Sequence, residues 1–349
     1  MTMPGMAQHE QGGWHAAAAI ACIVTIAGCQ DVPSDEAIDR MREEAIHANA
    51  ELKALVPTDT GPGTTLTISG QIGKPGATLD WKTLQQLGTT HVRTINIQNP
   101  SQQQPTDFRG VLVRDLLDRF EAAPEATEAT MVSIDGFRAT VQIADARTYR
   151  MLLAVEADGA PISRTAGGPI FLVHPFTESG PELRWKYPDR FWAFYVTHVV
   201  VGTEPPRLVI AERGRAGHVL DREALAKLPS TTLDGRVGWK VDWPADSVHL
   251  RGVSLVEAIA AAGLALPAQG RIVIHGKAPI HDDPAKPITI AIADLPRCKP
   301  LLAMQWGPSE QPIPAKLGGP IAMAITPCGE SYGDRSWVTF VEKIEVETP

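Results

Sequence analysis

The most regular feature of this chain is a series of short apolar runs, rich in valine, isoleucine and threonine and bounded mostly by turn residues. Such runs are typical of β-strands, because branched side chains pack well on a pleated surface. The first half of the chain has them at 65–68, 131–134, 140–143, 170–173 and 197–201. The second half has them at 208–211, 271–274, 288–292, 321–325 and 338–346. Short amphipathic helices are predicted after Asp80 and Arg109 and after their counterparts, so the pattern predicts an α+β fold.

Five sequence blocks occur twice, in the same order and at similar spacings. Leu-Asp, Arg-Gly-Val, Leu-Leu-Ala, Gly-Gly-Pro-Ile and a tryptophan before a β-branched run occur first at 79–80, 109–111, 152–154, 167–170 and 192. They recur at 220–221, 251–253, 301–303, 318–321 and 337. This order predicts two tandem domains, 65–203 and the more divergent 207–349, with loop insertions explaining the drift in spacing. The Gly-Thr-Glu-Pro-Pro linker at 202–206 is short enough to hold them side by side.

The start of the chain predicts export. The apolar run at 16–27 is too short to span a bilayer and fits the central region of a signal peptide. It ends in Ile-Ala-Gly-Cys, which resembles a bacterial lipobox, so residues 1–29 are predicted to be a lipoprotein signal peptide with lipid attached to Cys29. Residues 1–15 carry no lysine or arginine, which departs from that pattern, and a buried core helix with a chance cysteine is the alternative.

The following segment, 30–64, is predicted to be a tether helix and linker, with a disordered spacer as the alternative. The predicted location is therefore the cell envelope, where the lipid anchors the protein to the membrane and the body faces the periplasm or the exterior. A protein partner in the envelope is compatible with this placement. With a net charge of -8 and no cluster of lysine or arginine, the chain is not expected to bind nucleic acid.

Two cysteines fall within the predicted body, Cys298 and Cys328. A pair of cysteines in an exported protein is a candidate disulfide, which could contribute about 3 kcal/mol of stability. Free or metal-binding thiols remain the alternative, although the chain has no cysteine and histidine spacing of a known metal site.

The order of the blocks resembles the oxidoreductase molybdopterin-binding domain of the sulfite oxidase type. The resemblance covers 65–203 well and 207–347 more weakly, and its carriers include Arg-Gly-Val with Leu116-Leu117, Asp135-Gly136-Phe137 and Gly-Gly-Pro. It implies two α+β domains with mixed β-sheets and short helices. In this family such a domain holds a molybdenum–pterin cofactor and carries out oxygen-atom or electron transfer.

The chain departs from the family at the positions that carry this chemistry. Family members that hold molybdenum use a cysteine thiolate before Arg-Gly-Val, and neither 94–100 nor 239–243 contains a cysteine. Those members usually have a histidine before Gly-Gly-Pro and an arginine two residues after it. In the two copies here, Ala166 and Leu317 replace the histidine, and Phe171 and Ala322 replace the arginine. We therefore predict no bound cofactor, with a molybdopterin held by other contacts as the alternative.

Six polar residues remain as candidates for a binding site in the first copy. The resemblance places Asn96, Asn99 and Asp135 near the family's cofactor cleft. Arg164 lies in a region rich in aromatic residues and could hold an anionic or planar ligand. His174 ends a predicted strand, and Arg109 recurs as Arg251, so a structural role competes with ligand binding for both His174 and Arg109.

Two functions are compatible with this pattern. One is a lipid-anchored, non-catalytic binding or accessory module with a degenerate molybdopterin-binding fold. The other is a periplasmic oxidoreductase that holds a molybdopterin-type cofactor through non-standard contacts. No catalytic residue can be assigned from the sequence for either function.

Overall fold

The structure is a computed structural model that describes residues 61, 63–97, 104–188, 191–236, 247–277, 288–325 and 337–348. The predicted signal peptide with Cys29 and most of the predicted tether lie outside the described residues, as do Asn99 and Cys328. None of the helices in the described part is long and apolar enough to cross a membrane.

The first half of the body alternates short strands with short helices. In chain order its elements are β1 (Thr65–Gly70), β2 (Ala77–Asp80), α1 (Trp81–Leu87), β3 (Thr90–Thr94), β4 (Thr106–Leu112), α2 (Val113–Arg119), β5 (Glu128–Ser133), β6 (Arg138–Gln142), α3 (Ile143–Thr148), β7 (Leu152–Ala157), β8 (Ala160–Pro161), a 3₁₀ helix (Arg164–Ala166), β9 (Phe171–Val173), α4 (Phe176–Ser179), α5 (Pro181–Lys186) and β10 (Val196–Val201).

The second half runs through a similar series. Its elements are β11 (Leu208–Glu212), β12 (His218–Leu220), α6 (Arg222–Ala226), β13 (Ser230–Arg236), β14 (Ser247–Ser254), α7 (Leu255–Ala261), β15 (Arg271–Gly276), β16 (Ile288–Ala291), a 3₁₀ helix (Ile292–Asp294), α8 (Leu295–Cys298), β17 (Leu301–Trp306), β18 (Gln311–Pro312), a 3₁₀ helix (Ala315–Leu317), β19 (Ala322–Ala324), β20 (Trp337–Val338) and β21 (Val341–Glu347).

The two halves have matching sheet topologies. One sheet of the first half has the order β2-β1-β10-β5-β6, and its counterpart in the second half has the order β12-β11-β21-β15-β16. Both are mixed sheets, because only the β1–β10 and β11–β21 pairs are parallel. The other sheets have the orders β3-β4-β7-β8, with β9 also on β7, and β13-β14-β17-β19-β20. The predicted α+β fold is confirmed, and the repeated order is consistent with tandem domains, whose boundaries stay a prediction.

The repeated sequence blocks have a physical reason in both halves. The Leu-Asp blocks place Asp80 and Asp221 at helix N-caps, where each carboxylate accepts a hydrogen bond from a backbone N–H of the first turn, at 2.8 Å and 2.9 Å. The Arg-Gly-Val blocks place Gly110 and Gly252 where a neighbouring strand passes so closely that a Cβ would overlap a backbone carbonyl. These blocks therefore mark backbone geometry that the fold requires twice.

The two halves contact each other through a small buried surface. Val132 and Val200 of the first half form an apolar cluster with Ala315 and Phe340 of the second. Beside this cluster, the Lys316 Nζ lies 2.9 Å from a carboxylate oxygen of Glu128. Because both apolar and charged groups meet there, the halves dock against each other in a defined way.

One cysteine of the predicted disulfide lies within the described residues. β17 and β19 are antiparallel neighbours, with Leu301 opposite Ala324. Cys298 ends α8, shortly before β17, and Cys328 lies outside the described residues. Cys298 is fully buried. The Cys298–Cys328 bond stays a prediction, and two free thiols per chain in the denatured, unreduced mature protein would contradict it.

Candidate functional site

The segment that leads toward Arg-Gly-Val lies against the first core. Thr94 ends β3 with a fully buried side chain, and its hydroxyl oxygen accepts a bond from the Thr177 backbone N–H at 3.3 Å. Asn96 is half-buried between Ile95 and Ile97, and both isoleucines pack against the core. Asn96 is thus flanked in sequence by two isoleucines that pack against the core.

The strand after Gly-Gly-Pro is part of the core. Phe171 in β9 is 0% exposed, and its ring centroid lies 5.8 Å from Phe108, 5.1 Å from Trp192 and 4.7 Å from Phe194. In the second copy, Ala322 is also 0% exposed. Both positions at which cofactor-holding members carry arginine are therefore filled by apolar side chains inside the protein.

Two of the candidates, Asp135 and Arg164, are linked to Tyr195. Asp135 accepts the Phe137 backbone N–H at 2.9 Å and so stabilises the turn between β5 and β6, while Ile134 in that turn donates its N–H to the Tyr195 carbonyl at 3.0 Å. Burial raises the pKa of Tyr195, and the nearby Arg164 charge opposes that rise. Asp135 is thus linked to Tyr195 through its neighbour Ile134, and Arg164 through its charge.

His174 is enclosed by aromatic rings. It is 0% exposed and lies between Phe176 and Tyr187, with ring centroids 5.6 Å and 5.2 Å away and planes within 11°. Its Nε2 lies 3.1 Å from the Phe191 carbonyl oxygen, whereas its Nδ1 has no hydrogen-bond partner among the described residues. Burial lowers the pKa of His174 to about 4, so the ring is neutral at physiological pH.

Arg109 connects a strand to a helix. Its guanidinium donates two hydrogen bonds to the Glu156 carboxylate, one of them at 2.6 Å, and others to the Gln85 and Gly88 carbonyls at the end of α1. Hydrogen bonding to Arg109 lowers the pKa of Glu156. Its counterpart Arg251 donates instead to Glu310 and to the Ser230 hydroxyl.

A comparison with known families matches residues 55–185 to the model of the oxidoreductase molybdopterin binding domain. This segment of the chain is similar to that domain family. The resemblance inferred from the first copy is therefore confirmed. The match ends within the first copy, so a second molybdopterin-binding-like copy stays a prediction.

Further comparisons add little to this assignment. No curated protein matches the chain. Among solved structures, the sulfane dehydrogenase SoxCD from Paracoccus pantotrophus is similar to it, with 14% sequence identity and a TM-score of 0.33. The similarity covers 62% of this chain and 58% of that chain.

The residues present do not fit the cofactor that the family name implies. The segment at 94–103 supplies no thiolate for molybdenum. Phe171 and Ala322 offer no charge to an anionic pterin phosphate, because both are apolar and buried in the core. Within the described ranges, no group of three or more histidine, cysteine or acidic side chains could hold a metal ion.

A charged cluster that the sequence analysis missed lies where the two halves meet. The Lys277 Nζ is 2.9 Å from a carboxylate oxygen of Glu204 in the linker and 2.6 Å from one of Glu342, and only 7% of the lysine side chain is exposed. Burial disfavours the ammonium, but the two carboxylates more than offset this and raise the pKa of Lys277. The sequence signal was His-Gly-Lys in place of Asp-Gly-Phe, which puts a lysine where the first copy has Phe137.

Proposed function

We propose that this chain is a lipid-anchored protein of the cell envelope whose molybdopterin-binding-type fold serves as a non-catalytic binding or accessory module. The observation that carries the proposal is the place of Phe171, which is packed among aromatic rings where cofactor-holding members use arginine. The absence of a cysteine before Arg-Gly-Val agrees with it. The expected partner is another protein of the envelope, and no nucleic acid.

A cofactor without either contact would be weakly held. The arginine offers charge-assisted hydrogen bonds to a phosphate, and each such bond stabilises by about 1.5–3 kcal/mol. A thiolate bond to molybdenum adds a direct link to the protein. Phe171 is also part of the core, so an arginine at this position would place a charge among three aromatic rings. The packing of the core therefore disfavours arginine at this position.

The cofactor content of the purified protein tests this proposal. We expect full-length chain from its native host to contain molybdenum and releasable pterin far below one equivalent, because neither anchoring contact exists. The measurement is elemental mass spectrometry for molybdenum and fluorescence of the oxidised pterin. A cofactor-holding member of the family, purified in parallel, is the control.

The second candidate function is a periplasmic oxidoreductase that binds a molybdopterin-type cofactor through other contacts. The family match over 55–185 favours it, as do Asn96 and Arg164, which supply polar groups in the first copy. Stoichiometric molybdenum and pterin in the purified chain would establish this function and overturn the first.

The membrane anchor has its own test. In cells fed labelled palmitate, the wild-type chain is expected to incorporate label, and the Cys29→Ala variant is expected to incorporate none, because the lipid is attached to that thiol. A Cys22→Ala variant serves as the matched control and should be labelled like the wild type. Label in the Cys29→Ala protein would contradict the lipoprotein assignment.

A further inference from the structure

A cleft of about 590 Å³ opens in the second half of the body, beside the linker between the two copies. It lies between α6, the middle of β14 and the end of β17, and Gln71 of the first copy reaches its edge. Its size is typical of small-molecule sites, which range from about 300 to 1,000 Å³. We propose that this cleft binds a small amphipathic organic anion, a carboxylate carried on a compact apolar body. This inference deepens the binding role proposed above and rests on it.

The equivalent place in the first copy is closed by an ion pair. Arg109 on β4 stands directly opposite Glu156 on β7 and pairs with it. The same guanidinium donates to the Gln85 and Gly88 carbonyls and so holds the end of α1 against β4. Little space is left there, because a Cβ on Gly88 would come within 3.2 Å of the Gly110 backbone.

In the second copy, a different residue at one position prevents this ion pair. Gln305 occupies the position of Glu156, directly opposite Arg251, and an uncharged amide cannot form the ion pair. Arg251 instead donates to Glu310 at 2.5 Å and to the Ser230 hydroxyl at 3.1 Å, and neither residue belongs to α6. Because Arg251 bonds to Glu310 and Ser230, it does not hold α6 against β14. The cleft lies between α6 and β14.

The floor of the cleft is apolar. Leu225, Leu228, Val253 and Met304 line it, and Leu225 and Val253 are each 1% exposed. These side chains belong to the main core of the second copy or pack against it, so the floor is a fixed surface. A compact apolar group that binds to this floor would gain about 25 cal/mol of free energy for each Å² of apolar surface removed from water.

The charges around this floor select an anion. Glu204 lines the cleft, but its carboxylate is 2.9 Å from the Lys277 Nζ, an ammonium that it shares with Glu342. Arg251 forms an ion pair with Glu310. Arg222, at the exposed start of α6, makes no ion pair with any other residue that the structure describes. Its guanidinium therefore remains to pair with a carboxylate above the floor.

Isothermal titration calorimetry on the full-length chain tests the proposal with three probes. We expect 2-naphthoate to bind with a stoichiometry of one to one. The alcohol 2-naphthalenemethanol should bind about tenfold more weakly, because it lacks the carboxylate that forms the charge-assisted hydrogen bond. Acetate should show no saturable heat, because it lacks the apolar body. Arg222→Gln should reduce 2-naphthoate affinity about tenfold and leave the alcohol unaffected. Ala226→Trp, on the exposed wall of the cleft, should abolish binding of both aromatic probes.

Lys227→Gln provides the matched control, because Lys227 is also exposed at the end of α6 but does not line the cleft. It should bind 2-naphthoate like the wild type. The site would be disproved by equal effects of Arg222→Gln and Lys227→Gln, by unchanged binding in Ala226→Trp, or by no saturable binding of 2-naphthoate. Molybdenum in the purified chain would overturn the proposed function without altering these results, so the two failures can be told apart.

Discussion

Replacing Lys277 with methionine is expected to lower the free energy of unfolding by about 3 kcal/mol, because it leaves two carboxylates without their buried partner. Glu204 has only 13% of its side chain exposed, and the lysine between it and Glu342 has 7%. Because methionine has most of the volume of the aliphatic part of lysine, the loss of stability measures the effect of removing the charge. The measurement is the urea midpoint and slope of the full-length chain at neutral pH.

Two companion variants separate the buried cluster from ordinary surface charge. Lys74 lines the neighbouring cleft between the copies and pairs with Glu121, but both side chains are more than half exposed. Lys74→Met should therefore cost less than about 1 kcal/mol. Adding Glu204→Gln to Lys277→Met should recover part of the loss, since one unpaired charge is removed. If Lys277→Met cost no more than Lys74→Met, the cluster would not stabilise the junction of the two halves.

Acid is expected to destabilise the protein through His174. The pKa of this buried ring is about 4 in the folded protein, against the ordinary 6.5, because burial disfavours its charged form. As pH falls below about 6.5, the unfolded chain takes up a proton that the folded chain does not, so the free energy of unfolding falls. The loss is complete near pH 4 and amounts to about 3 kcal/mol, at about 1.4 kcal/mol per pKa unit.

The His174→Gln variant isolates this contribution. Its amide can still donate to the Phe191 carbonyl but does not titrate, so the variant should lose about 3 kcal/mol less stability than the wild type between pH 7 and pH 4. Stability at neutral pH will differ between the two proteins, so the comparison is of slopes. His218→Gln, at an exposed position of β12, is the matched control and should keep the wild-type slope. Equal slopes for His174→Gln and the wild type would show that the ring does not stay neutral in the fold.

In the sheets β2-β1-β10-β5-β6 and β12-β11-β21-β15-β16, the sequence predicted the central strands because their apolar side chains are consecutive. The strands β4 and β14, which are central in the other two sheets, were not predicted. β10 and β15 are buried in the middle of their sheets, and both were found where the apolar runs predicted them. The edge strands β3 and β13 were missed, because most of their residues are polar or exposed. β13 contains one large apolar residue, Leu233, and its place is set by pairing with β14 over its whole length. Such strands are defined by their neighbours, which a single sequence does not show.

The candidate site was predictable in its residue types but not in its packing. The sequence showed phenylalanine in place of arginine at Phe171, and the structure added that the ring is part of an aromatic core. It also showed that Arg recurs as Arg109 and Arg251, but their different partners depend on Glu156, Gln305 and Glu310. Which of several nearby carboxylates an arginine contacts depends on strand register, and register follows from tertiary structure.

The pairing of the first and last strands of each half has a consequence for the order of synthesis. β1 lies next to β10 in parallel, with Thr67 beside His198, so more than a hundred residues must be made before β1 gains this neighbour. In a growing chain, this edge of β1 therefore stays unpaired until residues 196–201 have left the ribosome. β11 and β21 repeat the arrangement in the second half. Because contacts this distant in sequence form slowly, each half closes its sheet in one late step rather than strand by strand during translation.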